Sequence, residues 1–128
     1  MSEKRKVALV VGAGDAIGSA IIKKFAREGL TAVGVRRNGD KLIPLVEELT
    51  QEGHSAYGWS CDARSEEAIA ELFERIERDI GELDTVVFNV GANVPMSVLD
   101  TTEQKFRKIW EMACYGGFLT GREAARHM

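Results

Sequence analysis

The stretch 6–18, KVALVVGAGDAIG, constrains the fold more than any other part of this sequence. Val7, Ala8, Leu9, Val10 and Val11 form an unbroken apolar run. A run that short and that rich in valine suits a strand buried on both faces. It stops at Gly12-Ala13-Gly14, and residues 17–26 then carry the spacing of an amphipathic helix. Strand, glycine turn and helix in this order bring the amino end of a helix to the carboxyl end of a strand. Unpaired backbone N–H groups and the positive end of the helix dipole converge there, which suits a phosphate.

Each glycine has a separate expected task. Gly12 turns the chain sharply as it leaves the strand, Gly14 lets a ligand approach the backbone, and Gly18 lets the helix pack close to the sheet. The spacing G-x-G-x-x-x-G is one residue longer than the usual dinucleotide fingerprint. Its position between a buried strand and a helix gives it weight. The alternative is a plain strand-to-helix turn without a ligand.

With 128 residues, the chain is long enough for one domain with a real core. A net charge of −3 gives no electrostatic reason to expect nucleic acid or an anionic membrane as a partner. No apolar run is long enough to span a bilayer. The start, Ser2-Glu3-Lys4-Arg5-Lys6, is charged and leads into a run that ends in glycines, so it does not read as a secretory signal. Cys61 and Cys114 have neither metal-ligand nor disulfide-framework spacing, and are expected to be free thiols in a reducing cytoplasm. No metal site is expected.

Strands and helices then alternate. Residues 31–35 (TAVGV) read as a second strand, and Leu42, Leu45, Val46 and Leu49 as the apolar face of a second helix. Pro44 is expected in the first turn of that helix. Residues 55–61 (SAYGWSC) suit a third strand. Ser65 caps a third helix whose core face is Ile69, Leu72, Phe73, Ile76 and Ile80. Residues 83–89 (LDTVVFN) form a fourth strand. Thr101-Thr102-Glu103-Gln104 fits a capping box with Thr101 as the cap. Phe106, Ile109, Trp110, Ala113, Phe118 and Leu119 then imply one long helix, with a bend expected at Gly116-Gly117.

This alternation predicts an α/β fold, a doubly wound parallel sheet of Rossmann type, with four strands in order 3-2-1-4. The chain would be a single dinucleotide-binding domain, 1–128. The order reverses between the first and fourth strands, so residues 12–18 and 89–93 should face each other across one crevice.

The second strand ends where such folds meet the adenosine ribose. An acidic residue there selects NAD, but this sequence has Arg36 and Arg37. Neither accepts a hydrogen bond from a hydroxyl, and both can grip a 2′-phosphate. One charge-assisted hydrogen bond is worth about 1.5–3 kcal/mol, about ten- to hundredfold in affinity. The expected cofactor is therefore NADP(H), in preference to NAD(H). The alternative is two solvated arginines in a polar turn. Asp15 is expected to cap the first helix, because a carboxylate beside a pyrophosphate would repel it. Asp62 suits either an adenine amino group or a turn cap. His54 and His127 have no carboxylate partner in a recognisable pattern and are expected to be exposed.

These motifs resemble those of the short-chain dehydrogenase/reductase family. The family's T-G-x-x-x-G-x-G loop is similar to Val11-Gly12-Ala13-Gly14-Asp15-Ala16-Ile17-Gly18, with Val for Thr and Ala16 for the middle Gly. Its arginine after the second strand is similar to Arg37, its aspartate after the third to Asp62. Its N-N-A-G motif is similar to Phe88-Asn89-Val90-Gly91, with Phe in place of the first Asn. The resemblance implies a cofactor site of Gly12, Gly14, Asp15, Ala16, Ile17, Gly18, Arg36, Arg37, Asp62, Ala63, Asn89, Val90 and Gly91. It also implies hydride transfer between nicotinamide and a small carbonyl or alcohol substrate, and a homo-oligomer formed through the long helix.

The sequence departs from the family in two ways. Ala113 stands where the family's helix carries a catalytic asparagine, so the usual proton relay is in doubt. The family's catalytic serine and Tyr-x-x-x-Lys pair follow the long helix and have no match here. Tyr57 and Tyr115 are followed four positions on by Cys61 and Leu119. No catalytic residue is therefore assigned. The match is to the amino-terminal half of such an enzyme, with the fifth and later strands missing and the domain expected to be incomplete at its carboxyl end. A non-catalytic dinucleotide-binding or regulatory module is the alternative reading.

Overall fold

The computed structural model describes residues 5–91 and 94–128. The charged start at Ser2 and the Asn93 end of the second crevice loop lie outside them.

The centre of the fold is β1 (Lys6–Val11), paired in parallel with β2 (Thr31–Arg36) on one side and β4 (Glu82–Phe88) on the other. β2 pairs in parallel with β3 (Ala56–Ser60), giving the order β3-β2-β1-β4. The expected topology holds, and β4 is an edge strand among the described residues.

The apolar run of β1 feeds two cores because alternate side chains leave opposite faces. Val7, Leu9 and Val11 pack with Val33, Val35, Ile69, Phe73 and Leu119. Val10 packs on the other face with Ile22, Leu42 and Leu49. The first core is roofed by α3 (Glu66–Arg75) and α5 (Gly116–His127), the second by α1 (Ile17–Arg27) and α2 (Ile43–Gln51).

Local rules explain most boundaries. Pro44 lies in the first turn of α2, where its missing N–H costs nothing. Ser65 Oγ accepts from the Ala68 amide and caps α3. α3 widens into a π turn, Ile76–Ile80, before Gly81 ends it.

Four expectations need correction. The cap of α4 (Glu103–Trp110) is Thr102, whose hydroxyl accepts from the Lys105 amide at 3.2 Å. Thr101 is drawn away because its hydroxyl donates to the Ser97 carbonyl at 2.8 Å. The long helix is interrupted by a π turn at Glu111–Tyr115, ahead of Gly116 rather than at it. Its expected core face is also largely uncovered. Leu119 is buried, whereas Phe106 is 62%, Trp110 48% and Phe118 57% exposed. Finally, neither histidine is fully exposed. His127 sits on α5 between Glu77 of the π turn after α3 (Nδ1 to Oε2, 2.9 Å), brought there by packing, and Glu123 one turn earlier on its own helix (Nε2 to Oε2, 3.4 Å).

Candidate functional site

The carboxyl ends of all four strands open onto one cleft of about 630 Å³. Val11, Gly12 and Gly14 form its floor at β1. Val35, Arg36, Arg37, Asn38 and Lys41 line it at β2, Cys61 to Arg64 at β3, and Asn89, Val90 and Gly91 at β4.

Gly12 holds the floor together. Its φ of +91° is a left-handed conformation that a side chain resists. A Cβ there would also come within 2.5 Å of the Asn89 carbonyl oxygen. The Gly12 and Ala13 amides donate to the Val35 carbonyl at 3.0 and 2.9 Å, and Asn89 Nδ2 donates to the Gly12 carbonyl at 3.2 Å. The loops after β1, β2 and β4 are thereby tied at one point. This is the meeting expected of 12–18 and 89–93, observed as far as Gly91.

The other two loop glycines differ from each other. An ideal Cβ on Gly14 would meet nothing within 4 Å, so this backbone faces open space. On Gly18 it would lie 2.7 Å from Ala13 Cα and from the Gly12 carbonyl oxygen. Gly18 thus lets the helix start pack on its own loop. The close approach of helix to sheet, expected of Gly18, is provided by Gly34 in β2, where a Cβ would collide with Ile22 Cδ1.

The amino end of α1 has the features of an anion site. Ser19 N–H and its hydroxyl both bind the Gly14 carbonyl, at 2.9 and 2.7 Å. The amides of Ile17 and Gly18 have no backbone acceptor among the described residues. Ala16 precedes the helix without a side-chain cap, and Ile17 is exposed beside it. These unpaired donors and the uncrowded Gly14 fit the pyrophosphate of a dinucleotide.

Asp15 does not cap α1. Its Oδ1 accepts from Arg36 Nη1 at 2.8 Å, and Arg36 also reaches toward the Ala13 carbonyl at 3.5 Å. Arg36 is therefore not one of two free guanidinium groups. Arg37 and Lys41 are exposed on the same side of the cleft and form no ion pair among the described residues.

Asp62 behaves as a turn residue. Its Oδ1 accepts from the Arg64 amide at 3.0 Å, and both its oxygens bind the Arg64 guanidinium at 3.1 Å. Those hydrogen bonds hold its carboxyl below the usual aspartate range, with Arg37 adding to the effect. Ala63, half-buried, lies on the same wall. Burial pushes the neighbouring Cys61 thiol up to about 11, with Asp62 and Glu71 contributing, so it is protonated at neutral pH.

Several residues that line the cleft lie outside the site read from the sequence, Arg64, Lys41 and Met112 among them. Arg64 could have been found from its position two after Asp62. Lys41 follows Arg37 by four positions in the segment after β2. Met112 reaches the cleft only because α4 continues through the π turn, which no local pattern announces. Ala113, in the same turn, is exposed and has no polar side chain.

Residues 6–128 match the family described as short chain dehydrogenase. The chain is 29% identical over 123 residues to 2,3-dihydro-2,3-dihydroxybenzoate dehydrogenase of Bacillus subtilis, covering 96% of this chain and 47% of that protein. It is 33% identical over 124 residues to versicolorin reductase 1 of Aspergillus parasiticus, with the same two coverages of 96% and 47%. The crystal structure of a short-chain dehydrogenase from Rhodopseudomonas palustris superposes with a TM-score of 0.92 at 47% identity, covering 96% of this chain and 57% of that one. An actinorhodin polyketide ketoreductase variant solved with NADPH gives a TM-score of 0.86 at 28% identity, covering 93% and 46%. The chain spans about half the length of the curated relatives it matches.

Proposed function

The chain belongs to the short chain dehydrogenase family, whose members bind a nicotinamide cofactor, and from that premise we propose that it is the NADP(H)-binding portion of an oxidoreductase acting on a small carbonyl or alcohol. The carrying observation is the cleft itself. Its lining holds the uncrowded Gly14, in the loop that leads to the unpaired amides at the start of α1, together with Arg37 and Lys41 after β2.

Each part of the cleft has a proposed role. The loop of Gly12, Gly14, Asp15, Ala16, Ile17 and Gly18 brings its backbone to the pyrophosphate, with the dipole of α1 behind it. Arg37 takes the 2′-phosphate by paired N–H donors, with Arg36 beside it. Asp62 and Ala63 bound the adenine, while Asn89, Val90 and Gly91 bound the far end. A bound nicotinamide supplies or accepts the hydride, and these residues hold and orient it. Self-association through the uncovered face of α4 and α5 belongs to the same proposal, as does a reducing cytoplasm for the free thiols Cys61 and Cys114.

Titration with NADPH and NADH, followed by fluorescence or calorimetry, tests the reading. The expected result is tighter NADPH binding by about ten- to hundredfold, the range of one charge-assisted hydrogen bond. Equal weak affinity for both would remove the arginine argument. A second reading, a dinucleotide-binding module without chemistry, is favoured by Ala113, which cannot hold the water of a proton relay. Turnover of a ketone panel with NADPH by the product of the whole gene separates the two.

A further inference from the structure

We propose that Asp15 is a specificity-determining residue that competes with a 2′-phosphate for Arg36, and so limits how strongly this chain prefers NADP(H) over NAD(H). The proposal rests on the cofactor reading above.

The two residues come from different loops. Asp15 belongs to the glycine loop after β1, and Arg36 ends β2. Their contact is a single 2.8 Å charge-assisted hydrogen bond from Nη1 to Oδ1. The Arg36 side chain is only 20% exposed, against 83% for Asp15. Arg36 lines the cleft, and one of its guanidinium donors is already occupied by the Asp15 carboxylate. A phosphate that is to use that donor must displace the carboxylate.

The remaining charges decide which cation is left. Arg64 is held by Asp62 at 3.1 Å. Arg37 and Lys41 have no such partner among the described residues and line the same cleft. Four cations thus surround the ribose end, and two are already matched by carboxylates. Arg37 carries phosphate recognition, and Arg36 contributes only when Asp15 releases it. A 2′-hydroxyl has no charge for Asp15 to repel and can donate a hydrogen bond to its free oxygen. The pair therefore penalises the phosphorylated ribose more than the unphosphorylated one.

The test is a set of dissociation constants for NADPH, NADH, 2′,5′-ADP and 5′-AMP, measured on the chain and on Asp15→Asn, Arg36→Met, Arg37→Met and the Asp15→Asn/Arg36→Met double variant. Asp15→Asn is expected to tighten NADPH and 2′,5′-ADP about tenfold, one charge-assisted contact, and to change NADH and 5′-AMP less than about threefold. That gain should vanish in the Arg36→Met background, and should shrink as salt rises from low to physiological strength. An unchanged NADPH-to-NADH ratio in Asp15→Asn overturns the proposal, and so does an equal gain with Arg36 removed. The underlying reading fails differently: the unsubstituted chain then binds neither nicotinamide, or binds both alike and is unmoved by Arg37→Met. An NADPH preference lost in Arg37→Met but untouched by Asp15→Asn keeps the reading and rejects only the role of Asp15.

Discussion

In the corner made by β1, α1 and β2, every apolar residue of the strands is buried, and Ile22 fills the space that Gly34 leaves open. Along α4 no residue is buried, and Phe106 and Trp110 face outward. Both regions show clear apolar periodicity in sequence. The corner contains both sides of its own contacts: strand, helix and loop are all within residues 6–36 and close on each other. The arm of α4 and α5 has its inner side, at Leu119, against the sheet core, and an outer side without cover among the described residues. Periodicity identifies an apolar face, and only topology says what lies opposite it. The corner supplies the floor of the cleft, Val11, Gly12 and Gly14 with Val35 and Arg36, and the loops after β3 and β4 close the rest of it.

The largest effect should come from Gly12, the knot of the corner. Gly12→Val places a branched side chain at a φ of +91° and against the Asn89 carbonyl. Strain at such a φ costs about 1–2 kcal/mol, and overpacking about 1–3 kcal/mol more. A loss of about 3 kcal/mol or outright unfolding in urea, together with loss of cofactor binding, is expected. Tolerance of valine would mean that the three loops are not tied there.

A pair of truncations tests the comparison directly. Ile22→Ala empties a buried site and should cost about 2–5 kcal/mol. Trp110→Ala removes a larger side chain from an exposed surface and should change stability by less than about 1 kcal/mol, even allowing for its stacking on Tyr115. Urea midpoints of the two variants measure the difference. If Trp110→Ala costs as much as Ile22→Ala, something covers α4 in solution, and sedimentation at several concentrations would show whether a second copy does so.

Legibility in the sequence follows the same division. The strand order was readable because four apolar runs alternate with helices, and right-handed crossovers leave one arrangement. The three glycines of the loop were readable because a ligand turn needs small residues there. The Asp15–Arg36 pair was not, since it joins side chains 21 positions apart and depends on how two loops settle. The need for glycine at position 34 is not legible either, because it depends on where α1 lays Ile22 across the strand. The cap of α4 falls one residue after the expected one because the capping-box pattern of Thr101 and Gln104 is overridden by the bond from the Thr101 hydroxyl to Ser97, which leaves Thr102 to cap the helix. Of the two carboxylates beside His127, Glu123 was readable as its i,i+4 neighbour on α5, whereas Glu77 arrives from the π turn after α3, which no spacing encodes.

The two thiols give a smaller contrast, one on the wall of the cleft and one on the arm. Cys61 ends the wall of the cleft and keeps its proton until about pH 11, whereas Cys114 is exposed in the π turn of the arm. Since the thiolate is the reactive form, iodoacetamide at neutral pH should label Cys114 well before Cys61, as read by mass spectrometry of peptides. The folded state favours the Cys61 proton. That contribution to stability is therefore intact below the ordinary thiol value of 9.0 and is lost as pH rises toward about 11.

The smallest effect concerns Asp62 and the turn it forms with Arg64. Its carboxyl is held below the ordinary value of 3.8 by the Arg64 guanidinium and amide. The sign is opposite to that of Cys61. A lowered carboxyl contributes stability that is fully present above 3.8 and disappears as pH falls through the still lower folded value. Asp62 is partly exposed, so solvent screening keeps this contribution small. The Arg64 amide, which donates to Asp62 Oδ1 at 3.0 Å, reports the event locally. Its NMR shift should hold steady from neutral pH down to about the ordinary aspartate value and move only below it. In Asp62→Asn the same resonance should show no such step. A step that survives in Asp62→Asn would assign the titration to another carboxylate and remove Asp62 from the wall of the cleft as the group that sets the Arg64 turn.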